Sequence, residues 1–317
     1  MDIKKLLPII GIIILVYIIS TLNLRTIIDI FLKIDIKYSL LSLFAIIPIV
    51  ISTNIQWQIL LKKQKINISF LHSLKNIFIG YFYGFITPGG LGSYIRAWYL
   101  KYDSKAPLPK CVSNIITINT IDYITLLLLS AIGALLLSGR FPNLFLPIIV
   151  VLIIVFSLFV FFLKKDKSKI VFTKLVQSKI FAAVKDRIED PIESFYENLP
   201  SFKDVLLPFG ISIVGWIIRF SELYLISIFF EIQVPYLYFI FIIAVADVIA
   251  TIPISIFGLG IREGSLITLF SIYGIIPEKI LSLSLFWFAL VWLFPSVIGA
   301  IITVFESKRI GPLPSKK

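Results

Sequence analysis

The sequence predicts an all-α, polytopic membrane bundle in which two re-entrant hairpins form an inverted-topology repeat. Three observations carry this. Of 317 residues, 58% are hydrophobic and only 15% charged, where soluble domains carry about 25% charged residues. Apolar runs such as 6–22, 144–163 and 281–305 reach the roughly 20 residues a helix needs to cross the hydrocarbon core. They lack the alternation of a lipid-facing barrel strand. Most of the 30 lysines and arginines are gathered in five segments: Lys4 and Lys5, 62–65, 101–110, 164–203 and the tail from Lys308. The connections between them hold only Arg25, Lys33, Lys37, Arg140 and Lys279. Such an asymmetry orients a membrane protein with its basic segments in the cytoplasm, so the net charge of +12 points to the membrane surface and not to nucleic acid.

The elements follow in order from that rule. Residues 6–22 exceed the apolar core of a signal peptide and no small-x-small site follows, which predicts a retained outward span. A second span at about 39–61 returns to the basic 62–65. Because 101–110 is also basic, residues 66–100 must enter and leave on the cytoplasmic face. Their midpoint reads TPGGLG, so a re-entrant hairpin is predicted. Spans at about 110–137 and 144–163 then lead out to Arg140 and back to the cytoplasmic 164–203. In that stretch Val176, Ile180, Val184 and Ile188 repeat every four residues, opposite Lys174, Lys179, Lys185 and Arg187. Asp190, Pro191 and Glu193 then suit the start of a second helix, giving an amphipathic pair on the membrane surface. A span at about 204–230 leads outside. The final span, at about 277–305, ends inside at Lys308, so 235–275 must return to the outer face, and its midpoint reads PISIFGLGIREG. The chain is thus one membrane domain, 1–317, whose halves 1–140 and 141–310 repeat span, span, hairpin, span with opposite orientation. Both termini are predicted to be cytoplasmic, in the cell membrane.

Inverted repeats with broken helices near the midplane are a plan of secondary transporters. The helices restart near Ser93 and near Ile261, with N-terminal amides facing the interior and Arg96 and Arg262 in their first turns. A cation on a positive helix end calls for an anion, and phosphate suits both the amides and the arginine fork. The predicted substrate-binding set is Arg96, Arg262, Glu263, Gly90, Gly92, Ser93, Gly258 and Gly260. Two plainer readings stay open: Arg96, close to Lys101, reaches the cytoplasmic interface, and Arg262 pairs with a carboxylate for folding alone. Asp122, Asp247, Arg219 and Glu222 lie in apolar runs, where charges usually face a pathway or each other. They are coupling or ion-pair candidates, with Arg219 and Glu222 spaced to neutralise one another. Cys111 and His72 are each the only one of their kind, which excludes an intrachain disulfide and argues against a Cys/His zinc site. No metal and no cofactor is predicted.

PGGLGSYIRA at 88–97 and PISIFGLGIREG at 253–264 resemble the two signatures of the lysylphosphatidylglycerol synthase transmembrane family, the flippase-like membrane proteins. The resemblance runs in order along nearly the whole chain. It implies translocation of a phosphate-bearing lipid, a phospholipid or a polyprenyl-phosphate-linked one, between leaflets, and as partners an anionic lipid and a glycosyltransferase or synthase. Pro88, Gly89, Gly92 and Arg96 match the first signature, and Gly258, Gly260, Arg262, Glu263 and Gly264 the second. Ser93 stands where the family commonly has glutamate. The family's Glu-Arg pair before an aspartate is replaced by Asn119-Thr120-Ile121-Asp122, so only Asp122 carries over. Two other functions stand beside the flippase. One is a headgroup-modifying enzyme, for which no nucleophile-base or metal spacing is visible. The other is a scaffold docking a cytosolic synthase through 164–203. An ion-coupled carrier for a small soluble anion also stays open.

Overall fold

A computed structural model describes residues 13–33, 36–44, 46–176, 189–252, 255 and 258–310, and every regular element among them is helical. In hydrocarbon each backbone amide must find its partner within the chain, so unbroken apolar runs become helices. Among the described residues, five helices are long and apolar enough to cross a membrane, or six if one bent pair counts as a span.

That bent pair opens the described chain. Helix α1 (Ile13–Thr21) turns by 90° into α2 (Leu24–Lys33). The sequence reading passes over α2, a ten-residue amphipathic helix that buries Ile27 and packs on the later helix α14. Helices α3 (Ile36–Phe44) and α4 (Ile46–Lys63) form the second span, and α5 (Phe70–Phe85) begins on Ser69, whose hydroxyl caps the His72 amide. A 3-10 segment, Pro88–Ile95, folds back along α5 and leads into α6 (Arg96–Ser104), which packs on both α5 and the long α7 (Leu108–Leu136). Helix α8 (Phe145–Leu163) buries few of its residues, leaving most of its surface to lipid.

In the segment between spans, α9 (Lys165–Val176) and α10 (Glu189–Tyr196) pack on each other, and α10 lies on α7. Ile192, Tyr196 and Leu199 are buried there, with Lys110 paired to Glu197 at 3.2 Å. The predicted repeat through Ile180, Val184 and Ile188 lies outside the described residues. Asp190 falls inside α10 and not before it, a correction to its expected capping role.

Helix α11 (Phe202–Phe229) starts on a box in which Ser201 and Asp204 satisfy each other's backbone amides. Helix α12 (Tyr236–Ala250) packs on α13 (Ile261–Phe270) across the second break. The last span, α14 (Pro277–Phe288) and α15 (Phe294–Ile310), is joined by a π-helical turn at Ala289–Leu293. There the Phe294 N–H bonds to Ala289 O five residues back, and the next residue, Pro295, has no amide to offer the Val291 carbonyl.

The main core lies where α7, α11, α12, α13 and α14 meet, around Phe220, Phe239, Phe270 and Ile242. A second cluster packs α4 and α5 on α7 through Trp57, Leu60, Leu61 and Ile115. Helix α5 rests chiefly on α15, α12 chiefly on α7, and α4 packs against α11.

Candidate functional site: a cavity between the two breaks

A cavity of about 390 Å³ opens where the two breaks approach each other. Gly90, Ser93 and Arg96 line it from the first, Gly258 and Arg262 from the second, and Asp122, Arg219 and Asp247 from α7, α11 and α12. Trp57, Trp216, Trp287 and Trp292 complete much of the wall, all but one of the chain's five tryptophans.

The first break is a 3-10 helix and not an open turn, and the α-helix resumes only at Arg96. Thr87 organises it. Its hydroxyl donates to the Tyr83 carbonyl at 2.8 Å and accepts from the Gly92 amide at 2.6 Å. A side chain at position 92 would run into the Tyr83 carbonyl, so Gly92 shapes the turn from outside the cavity. Arg96 does not reach for the interface. It extends across Gly80 into the cavity, donating from Nη2 to Asn119 Oδ1 at 2.8 Å and from Nε to Ser93 O at 3.2 Å. Its guanidinium lies 5.4 Å from the Trp57 ring centre. All of these partners are neutral. Asn119 stands where the resembled family carries charge.

The second break needs left-handed backbone at Gly258 (φ 76°) and Gly260 (φ 84°), which glycine adopts without a Cβ clash. Glu263, fully buried, reaches back to accept the Gly260 amide at 2.6 Å. Glycine has no side chain to return the bond, so this is one half of a capping box. The other carboxylate oxygen accepts from Arg262 Nη2 at 3.1 Å and from Ser284 Oγ at 2.7 Å. Arg262, 4% exposed, also donates to Ser284 Oγ and O at 3.3 and 3.4 Å.

These contacts correct two expectations. The Gly92 and Gly260 amides do not face the interior free: an unpaired amide in hydrocarbon costs several kcal/mol, and the chain supplies Thr87 and Glu263 instead. Nor is the site simply electropositive. Arg96, Arg219 and Arg262 face Asp122 and Asp247 across the cavity, with Glu263 directly against Arg262.

The interior charges sort differently from their spacing. Asp122 is not without partners: Gln56 Nε2 and Ser212 Oγ both donate to its Oδ1, at 2.8 and 2.7 Å. Arg219 turns onto the Trp216 ring, 4.8 Å from its centre, and not onto Glu222. Glu222 Oε2 is buried without a hydrogen-bond partner among the described residues. Trp57, Trp216, Gln56, Thr87, Ser212 and Ser284 are absent from the sequence-based site. Their only signal is polarity or an indole within an apolar run, which many packed residues share.

The model of the lysylphosphatidylglycerol synthase TM region matches residues 6–299. The UPF0104 membrane protein PH1989 of Pyrococcus horikoshii is 23% identical to this chain, covering 97% of it and 98% of the relative. UPF0104 membrane protein MJ1595 of Methanocaldococcus jannaschii is 21% identical over 99% of this chain and 98% of its own. A UPF0104 membrane protein of Methanothermobacter thermautotrophicus is 25% identical over 83% and 81%. With both signatures walling one cavity and the family model spanning nearly the whole length, this multi-pass membrane protein belongs to the lysylphosphatidylglycerol synthase transmembrane-region family.

Proposed function

We propose that the protein moves a phosphate-bearing lipid between membrane leaflets, with the headgroup held in the cavity between the two breaks. The observation that carries the reading is the meeting of both interrupted helices, indole rings and charged side chains in one cavity inside an otherwise apolar bundle. Charges at such depth cost about 2.5–3.5 kcal/mol each even on the lenient insertion scale, a cost proteins bear where a polar substrate passes. Arg96 is the headgroup's first ligand: its present partners are neutral and a phosphate oxygen outcompetes them. The acyl chains remain in the bilayer, and rocking of the hairpins against the outer spans opens the cavity to either side in turn.

The test is leaflet exchange of fluorescent phosphatidylglycerol and of a polyprenyl phosphate in liposomes carrying the pure protein. Exchange faster than in empty liposomes is expected, with Arg96→Ala slowing it by about tenfold or more, the loss of one charge-assisted pair. Exchange no faster than in empty liposomes for either lipid overturns the proposal.

A further inference from the structure

The three arginines of the cavity wall are not equivalent. Arg262 has its charge met by Glu263 at 3.1 Å, and its Nε and Nη2 also donate to Ser284. Arg96 and Arg219 have no carboxylate within ion-pair distance among the described residues. What they share is an indole: Arg96 lies over Trp57 of α4 and Arg219 over Trp216 of α11, two helices that pack together. Stacking of this kind fixes the guanidinium plane. It leaves the N–H donors, which lie in that plane, pointing outward from the edge.

The two are joined through Asp122. Asn119, which accepts from Arg96, sits one turn from Asp122 on α7. Asp122 and Arg219 both line a side chamber of about 40 Å³ together with Gln56 and Ser212. Those two hold the Asp122 Oδ1, so the carboxylate stands between the arginines without closing a salt bridge to either.

We propose that Arg96 and Arg219 are the two arms of a clamp for a single phosphate group, while Arg262 serves the fold through Glu263. This rests on the transport reading above and deepens it by assigning the second ligand to α11, outside both hairpin signatures. With Asp122 and Asp247 lining the same cavity as these two arginines, the clamp works by directed hydrogen bonds more than by net field. It therefore selects a group with several acceptor oxygens in one place.

Because four tryptophans line the cavity, intrinsic fluorescence reports occupancy. The purified full-length protein in detergent is titrated with dihexanoyl phosphatidic acid, with dihexanoylglycerol and with inorganic phosphate. A saturable change is expected with phosphatidic acid and none with dihexanoylglycerol. Arg219→Gln and Arg96→Gln should each weaken binding by about tenfold or more, the contribution of a hydrogen bond to a charged group. Arg219→Lys should recover part of the loss, because it keeps the charge but loses the fork, and it serves should the glutamine variant not fold. The double variant should lose less than the product of the single losses, since both arms hold one group.

Arg219→Gln or Arg219→Lys binding as wild type while Arg96→Gln is weakened overturns the clamp and leaves the transport reading intact. Inorganic phosphate binding as tightly as the lipid, with the same variant pattern, supports the clamp and overturns the lipid as its ligand. No response of the wild type to either phosphate source overturns both.

Discussion

At the scale of single residues, what decides a buried charge's role is whether its neighbours have already answered it. Glu263 satisfies three donors at once: the Gly260 amide, Arg262 and Ser284. Removing it leaves an uncompensated guanidinium in a nearly closed site and an amide without an acceptor. Breaking a buried pair from one side costs about 3–5 kcal/mol. Glu263→Ala should therefore lower the thermal unfolding midpoint of the detergent-solubilised protein by far more than Arg96→Ala, whose partners are neutral oxygens and an indole. Equal midpoints for the two variants would count against the division of roles between the arginines. This division is only half legible in the sequence, which offers a carboxylate beside Arg262 but not the partners of Arg96. Arg96 and Arg262 each follow a Gly-Leu-Gly break, but Glu263 is adjacent in sequence whereas Asn119, Trp57 and Ser284 are brought in by folding.

At the scale of elements, each hairpin is seated on its neighbour by a glycine. Gly299 of α15 packs on the Phe78 carbonyl of α5, and Gly133 of α7 on the Phe241 carbonyl of α12. Without a hydrophobic drive between helices in lipid, such close backbone approach supplies the dispersion contacts that hold them. A side chain at either position must push the backbones apart. Gly299→Val and Gly133→Val should each destabilise by about 1–3 kcal/mol, the usual cost of overpacking. They should also slow leaflet exchange if the hairpins must move as seated units. Thermal unfolding and liposome exchange on the same preparations check both statements, and a Gly133→Val protein as stable as wild type would remove the seating argument. The long spans themselves are legible, since an apolar run has few alternatives to a helix in hydrocarbon. The 3-10 form of Pro88–Ile95 is not, because it depends on Thr87 reaching both Tyr83 and Gly92. Helix α2 is missed for a different reason: Arg25, Asp29 and Lys33 interrupt its apolar residues, so it does not read as a span.

At the scale of the whole molecule, the positive-inside argument makes a claim about both ends of each hairpin that side-chain contacts bear on independently. Lys63 meets Asp204 at 3.0 Å at the start of α11, and Lys110 meets Glu197. Lys75, near the start of α5, pairs with Asp103, near the end of α6, at 3.6 Å and with Glu306 of α15 at 3.1 Å. Arg309 joins the same group through Asp103 and Glu306. Helix α11 then carries the chain about 42 Å along its axis at 1.5 Å per residue, to where Glu231 meets Lys279 at 2.9 Å. Near that far end Tyr238 of α12 and Tyr273 beyond α13 are 6.3 Å apart, and Asn23 donates to Glu278 at 3.2 Å. Lys75 and Asp103, on either side of the first break, thus lie together with Glu306 and Arg309, and Tyr238 and Tyr273, on either side of the second, lie together as well. In a background with Cys111, which is buried, replaced by alanine, single cysteines at Asn67, Lys101, Gln233 and Ile276 occupy exposed positions flanking the hairpins. A membrane-impermeant maleimide should label positions 67 and 101 from the cytoplasmic face alone and positions 233 and 276 from the opposite face alone. Labelling of 67 and 101 from different faces, or of 233 and 276 from different faces, would turn that hairpin into an ordinary crossing. The two breaks would then no longer enter from opposite sides, and a cavity reached alternately from each leaflet would lose its physical basis.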